Sequence, residues 1–234
     1  MKIAISQPTF LPWQGYFSLI NEVDEFIFLD SVQFNKRSWQ QRNYIILDSK
    51  KKFITIPVKS KGKYDQLISE VEIDYSNFSI KKILKTLENA YKKAPFFHEF
   101  YEEIKFIFQK EHKFLCELNI EIIKAISKKL GFKTKFINSS NIELNDNYKK
   151  LELITKLATK RGASTYISTI GSKEYINKFD RLPGTEIKIN YFDYKNYKYK
   201  QMTNDFIEKM SILDLIFNVG FDSKKILIKN FFIV

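Results

Sequence analysis

The sequence predicts an α/β fold: a mainly parallel, Rossmann-like sheet that opens with a βαβ unit and carries an inserted helical subdomain. Three observations lead there. Short apolar runs bounded by polar residues alternate with helix-length amphipathic stretches, the rhythm of parallel strands joined by crossover helices. The first such unit is complete by Asp30. A long block of purely helical periodicity then interrupts the rhythm before it resumes.

Taken in order, Ile3-Ala4-Ile5 reads as a buried strand bounded by Gln7-Pro8. From Trp13 to Val23, Tyr16, Phe17, Leu19, Ile20 and Val23 fall near one helical face, and Phe26 to Leu29 forms a second strand. Two strands joined by a helix pair in parallel with a right-handed crossover. Asn43–Asp48 and Lys52–Val58 flank a turn at Asp48-Ser49-Lys50-Lys51, a β-hairpin with Pro57 at a strand end. Val71 to Asp74 is a candidate short strand. Ile80, Ile83, Leu84, Leu87 and Tyr91 then recur at helical spacing up to Ala94-Pro95, and 96–108 and 113–130 give two more helices, the last stopped by Gly131. The α/β rhythm returns with a strand over 133–137, the polar loop Asn138-Ser139-Ser140-Asn141, and a helix over 149–161 closed by Gly162. A strand over 164–168, a short helix opening at Gly171, a strand over 187–192 and a helix from Ser211 ended by Gly220 complete the chain. With no internal repeat and no linker, residues 1–234 read as one α/β domain with its helical subdomain at about 78–130.

Composition narrows the function classes. No apolar run is long enough to span a bilayer, and no signal peptide is expected. A single cysteine, Cys116, forms no internal disulfide and no thiolate cluster, so a cytoplasmic setting is expected. P-loop, dinucleotide and zinc spacings are absent, and His98 and His112 lie in the helical block without the company of a metal site or triad. No metal is expected. The formal charge of +12 suits nucleic acid, anionic lipid or a phosphorylated small molecule, although lysines spread through the whole chain read as well as solvated surface.

Ligands of open α/β sheets sit beyond the carboxyl ends of the strands. Those ends carry Ser6-Gln7-Pro8-Thr9 and Asp30-Ser31, the second leading into Phe34-Asn35-Lys36-Arg37-Ser38-Trp39-Gln40-Gln41-Arg42-Asn43. Arg37 and Arg42 suit bidentate phosphate binding, Lys36 a point charge, and Trp39 stacking on a base or sugar. The plain alternative is an exposed basic loop. Asp30 is placed to orient a hydroxyl, hold a metal or act as a base, or else to cap the following turn.

The stretch after the first strand resembles, loosely, the nucleotidylyltransferase and pantothenate synthetase superfamily with its His-x-Gly-His motif, Trp13 and Tyr16 standing at the two histidine positions when Gly15 is aligned. Their absence speaks against nucleotidyl transfer by that superfamily's route. Ile167-Ser168-Thr169-Ile170-Gly171-Ser172 is similar to its phosphate loop, and a helix N-terminus there suits an anion.

A closer resemblance, across most of the chain, is to the WbqC-like family. It is carried by Gln7-Pro-Thr-Phe-Leu-Pro-Trp-Gln-Gly-Tyr-Phe17, by Asp30-Ser-Val-Gln-Phe-Asn-Lys-Arg-Ser-Trp-Gln-Gln-Arg-Asn43, by Ile56-Pro-Val58, and by Tyr166-Ile-Ser-Thr169, Tyr199-Lys-Gln201 and Ser211 to Gly220. The resemblance implies bacterial surface-polysaccharide, notably O-antigen, biosynthesis. The expected function is transfer of an acyl or aminoacyl group to a nucleotide-linked amino sugar, with an aminoacyl-tRNA or an acyl-adenylate as donor. Asp30 and Lys36 are the candidate catalytic residues, Asp30 as base for an attacking amine. Lys36, Arg37 and Arg42 hold phosphate, Trp13, Tyr16 and Trp39 shape the sugar or base pocket, and Gln7 and Asn43 orient polar groups. Pro8, Phe34, Ser168 and Ser172 complete the substrate-binding set. The alternative is a non-catalytic nucleotide-sugar-binding or scaffold protein descended from a nucleotidyltransferase-like fold, and a third reading is RNA binding driven by net charge.

Overall fold

The computed structural model describes residues 1–76, 78–169, 180–195 and 197–233. Its centre is a six-stranded sheet in the order β5-β2-β1-β6-β7-β8. These strands are β1 (Lys2–Ser6), β2 (Glu25–Phe28), β5 (Lys135–Asn138), β6 (Thr165–Thr169), β7 (Lys188–Tyr194) and β8 (Phe231–Ile233). The first five are mutually parallel and only β8, at the edge, runs antiparallel. The fold is therefore α/β with a mainly parallel sheet, as the sequence predicts.

Strand alternation sorts the side chains onto two cores. Ala4, Phe26, Phe28, Ile167 and Phe192 face one side, and Ile3, Ile5, Ile27, Tyr166 and Ile189 the other. On the first side lies α1 (Gln14–Glu22), whose Phe17, Leu19 and Ile20 are fully or almost fully buried. The same apolar cluster takes in α2 (Ile80–Tyr91), α3 (Phe97–Gln109) and α4 (Leu115–Lys129), and Phe10 packs edge-on against Phe108 of α3. On the second side, α5 (Lys150–Lys160) brings Leu153, Leu157 and Ala158 to the sheet. Arg161, just past that helix, forks both oxygens of the buried Glu25 at 2.7 and 2.8 Å.

The hairpin forms as expected from β3 (Arg42–Leu47) and β4 (Lys50–Thr55). Its two turn residues, Asp48 and Ser49, both take positive φ (53° and 56°), the mirror-image turn that matches strand twist. Two expectations need correction. Val71 to Asp74 is not a strand: it passes between two neighbours, Ile73 bridging Val58 and Glu72 bridging Phe114, so no ladder builds. The C-terminus adds α7 (Ser223–Lys229) and β8, which follow α6 (Ile212–Val219) and which the sequence reading leaves unassigned. A seven-residue helix and a three-residue strand are too short for periodicity to separate from a loop. The expected helix at Gly171 lies outside the described residues.

Candidate functional site

Strand order reverses between β1 and β6, the central pair, so the connections leaving their carboxyl ends diverge and open a crevice. A pocket of about 440 Å3 lies there. Ser6 and Thr9 line it from the end of β1, Thr169 from the end of β6 and Phe192 from β7. Trp13, Tyr16 and Leu19 contribute from the start of α1 and its approach, Trp39 and Asn43 from the segment entering the hairpin, and Lys209 from the loop before α6. The walls are mostly aromatic and aliphatic, with hydroxyls and one lysine.

Several local devices hold these walls. Phe10 donates its backbone N–H to the carbonyl of Trp39 at 2.8 Å, which ties the β1–α1 loop to the Trp39 segment. Asn43 donates to the carbonyls of Phe10 (3.1 Å) and Leu11 (2.8 Å) and accepts from the Tyr44 N–H (2.8 Å). Leu11 has a left-handed backbone (φ 45°), and the Asn43 amide holds that bend. Trp13 packs edge-on against Tyr194 at 5.2 Å, and its backbone bridges Ser211. Tyr16 donates its hydroxyl to the Gln7 carbonyl at 3.0 Å, and burial holds the phenol well above its ordinary value, so it serves as a neutral donor.

Behind the Trp13 wall runs a buried polar chain. Asn230 donates to the Tyr194 hydroxyl (3.2 Å), Tyr194 donates to Gln14 Oε1 (2.7 Å), and Gln14 Nε2 donates to the Tyr199 hydroxyl (3.2 Å). Tyr199 (2.5 Å) and Gln201 (2.7 Å) both donate to Asp214 Oδ2. Burial pushes the Asp214 carboxyl above the ordinary carboxylate range, against the hydrogen bonds from Tyr199 and Gln201. The folded protein thus keeps that proton at pH values where the unfolded chain has released it, and this group's contribution makes stability fall as pH rises from about 4. The melting temperature of wild type minus that of Asp214→Asn should decrease on going from about pH 4 towards neutrality; an increase would mean that the fold stabilises the charged carboxylate.

Residues 7–226 match the WbqC-like protein family. The chain belongs to that family. This WbqC-like protein is similar to an uncharacterized protein of Mycobacterium tuberculosis, 38% identical over 223 residues that cover 94% of each chain. No solved structure matches it. The segments that carried the family resemblance converge in the WbqC-like fold. Those from Gln7 to Phe17, Asp30 to Asn43 and Tyr166 to Thr169 each supply pocket walls, and Tyr199 to Gln201 with Ser211 to Gly220 build the polar chain behind them.

Of the residues singled out from sequence, Trp13, Tyr16, Trp39 and Asn43 line the pocket together. Asn43 does so with its amide committed to backbone, which makes it a brace. Gln7 accepts from Gln40 Nε2 at 2.8 Å, and the carbonyl of buried Pro8 accepts from Asn119 at 3.3 Å. Phe34 is a core residue, 5% exposed. Lys36 and Arg37 are exposed and do not line the pocket; the Lys36 ammonium lies over the Tyr64 ring, and Arg42 stacks on Phe53 at 4.2 Å. Ser168 is buried and donates to the Tyr166 hydroxyl at 3.2 Å, one residue short of the pocket. Ser172 lies outside the described residues.

Asp30 differs most from expectation. It is 1% exposed, and its carboxylate accepts from Asn138 Nδ2 (2.9 Å), Ser139 Oγ (2.9 Å), the Ser140 N–H (2.9 Å) and Ser140 Oγ (2.8 Å). The end of β2 is therefore closed by the turn that follows β5, and a carboxylate so occupied has no lone pair aimed at an amine. Cys116 lies 4.0 Å from the same carboxylate, and burial with that negative charge pushes its thiol up to about 12, which leaves no thiolate nucleophile. No cluster of three metal-ligating side chains occurs among the described residues.

Sequence reasoning passed over Lys209, Phe192 and Leu19 as site residues, and named Thr169 only within the phosphate-loop-like stretch and Ser6 and Thr9 only within a strand end and the motif after it. Ser6 and Thr169 stood at strand carboxyl ends, which is a usable signal. Lys209, one lysine among many in a loop, carried none.

Proposed function

We propose that the pocket binds a nucleotide-linked amino sugar and that the protein transfers an acyl or aminoacyl group to it during bacterial surface-glycan assembly. The observation that carries this reading is the combination of walls: Trp13, Trp39 and Phe192 offer faces for a base or sugar ring, Ser6, Thr9 and Thr169 offer hydroxyls, and Lys209 offers a cation for a phosphate, all at the crevice where open α/β sheets take ligands. In the transfer, the amine nitrogen attacks the acyl carbonyl, the new C–N bond forms and the bond to the leaving oxygen breaks. That oxygen takes up the proton which the amine gives up. No carboxylate, imidazole or thiol lines the pocket among the described residues, so the reaction depends on holding the partners in line.

A thermal-shift series with nucleotide-linked sugars tests the binding, because a ligand in large excess raises the stability of the fold. One sugar nucleotide should raise the melting temperature at moderate salt. Trp39→Ala and Lys209→Gln should each weaken its affinity about tenfold or more, the worth of one stacked ring or one charge-assisted hydrogen bond, about 1.5–3 kcal/mol. Absence of any shift across the series sinks the reading.

The saturated Asp30 and the base-free pocket favour a second reading, a non-catalytic sensor or scaffold for the same ligand. Acyl transfer to the bound amino sugar, measured by mass spectrometry, separates the two: a product mass supports the transferase, and binding without product supports the sensor.

A further inference from the structure

We propose that the outer face of the β3–β4 hairpin, with Trp39, docks single-stranded RNA whose 3′ end reaches the pocket. The acyl donor is then an ester carried on that end. The chemistry rests on the transferase reading above; the docking surface does not.

Strand register places Tyr44 opposite Phe53 and Ile46 opposite Lys51, with Arg42 and Thr55 paired two residues on, so Arg42, Tyr44, Lys51 and Phe53 share one face. There, a stacked pair of rings lies between two cations. Arg42 lies 4.2 Å from the Phe53 ring, Phe53 stacks on Tyr44 at 4.0 Å, and the Lys51 ammonium lies 4.3 Å from Tyr44. Trp39 packs against both rings, at 5.6 and 6.2 Å. Trp39 is 52% and Phe53 43% exposed, so this is an aromatic cluster at the surface. It is continuous with the pocket, because Trp39 also lines the pocket wall.

A second observation points to a polyanion. Lys51 donates to the carbonyl of Glu208 at 3.1 Å, which sets its ammonium beside Lys209 of the pocket wall. Partial burial and repulsion from Lys209 hold Lys51 below its ordinary value, only partly offset by Glu208, and a phosphate between the two lysines relieves that repulsion. Asp48, the carboxylate at the hairpin turn, is already ion-paired with Lys52. Surfaces that bind single strands combine stacking rings with cations that follow the backbone. A lone nucleotide needs only the pocket; rings and cations continuing along the hairpin suit further nucleotides. RNA differs from DNA here in the 2′-hydroxyl beside the 3′-hydroxyl of its terminal ribose, two adjacent oxygens that can carry the ester. In the reaction, the sugar's amine attacks the ester carbonyl, the C–N bond forms, the bond to the ribose oxygen breaks, and that oxygen leaves as a hydroxyl with the amine's proton.

The test is fluorescence anisotropy with a labelled single-stranded RNA dodecamer at low and moderate salt. Wild type should bind, and Trp39→Ala and Phe53→Leu should each weaken binding about tenfold, as loss of one stacking ring does. Lys81→Gln with Lys85→Gln, on the exposed face of α2, should change it less than about twofold. Thermal melts establish that each variant is folded, and Phe53→Leu retains apolar cover where alanine risks the hairpin. Equal losses in the ring and α2 variants would mean attraction by net charge alone and overturn the proposal, as would no binding. If wild type fails to bind RNA yet is stabilised by a nucleotide-linked sugar, the docking proposal falls and the function proposed above stands.

Discussion

Asp30→Ala will lower the unfolding free energy by about 3–5 kcal/mol, the range for leaving several buried partners of a charged group unsatisfied. Four donors converge on this carboxylate from Asn138 at the end of β5 and from the turn after it, and its own N–H and that of Ser31 donate to Ser139 Oγ at 3.1 and 3.2 Å. Truncation removes the acceptor that all four of these donors share. Asp30→Asn retains the shape but turns an N–H2 group toward donors, and should cost about half as much. Urea unfolding with an unchanged slope is the measurement. A stable Asp30→Asn protein that had lost acyl transfer would instead return Asp30 to the role of base and undo the structural assignment.

Gly15→Ala is expected to displace Trp13, destabilise the fold by about 1–3 kcal/mol as overpacking does, and weaken ligand binding at least as much as Trp39→Ala. A β-carbon built on Gly15 falls 2.2, 2.5 and 2.7 Å from three atoms of the indole ring, distances that no small adjustment relieves. The ring also packs edge-on against Tyr194 of the polar chain, so moving it disturbs the wall between the pocket and that chain. The glycine is thus required for close approach, the indole lying directly on the first turn of α1. Unchanged indole fluorescence and ligand affinity in Gly15→Ala would show that the wall tolerates the methyl group and sink the prediction.

Much of the architecture was legible in the residues. The βαβ opening, the hairpin turn, the three helices of the middle block and the helix stops at Gly131, Gly162 and Gly220 follow from apolar periodicity and from the left-handed backbone that glycine adopts there, φ 71°, 68° and 66°. The site was half legible. The strand-end rule pointed to the loops after β1 and β2, Trp39 stood out as a tryptophan in a charged run, and Trp13 and Tyr16 by their place at the two motif-histidine positions. The rule could not choose between strands, because the choice depends on which strands are neighbours. The Asn138-Ser139-Ser140 turn, which had no evident role in the linear chain, proved to be what removes Asp30 from the site.

By itself the sequence determined the fold class, most of the longer helices and strands and the family, since these depend on local periodicity and on motifs contiguous along the chain. Only the tertiary structure decided where the crevice lies and what lines it. Placing β6 beside β1 puts the switch point there, and placing β5 beside β2 closes the end of β2. It also brings Thr169, Phe192 and Lys209, each more than 150 residues beyond Ser6, to the same pocket. Contacts of that sequence separation are set by strand order and packing, and they leave no periodic trace in the chain.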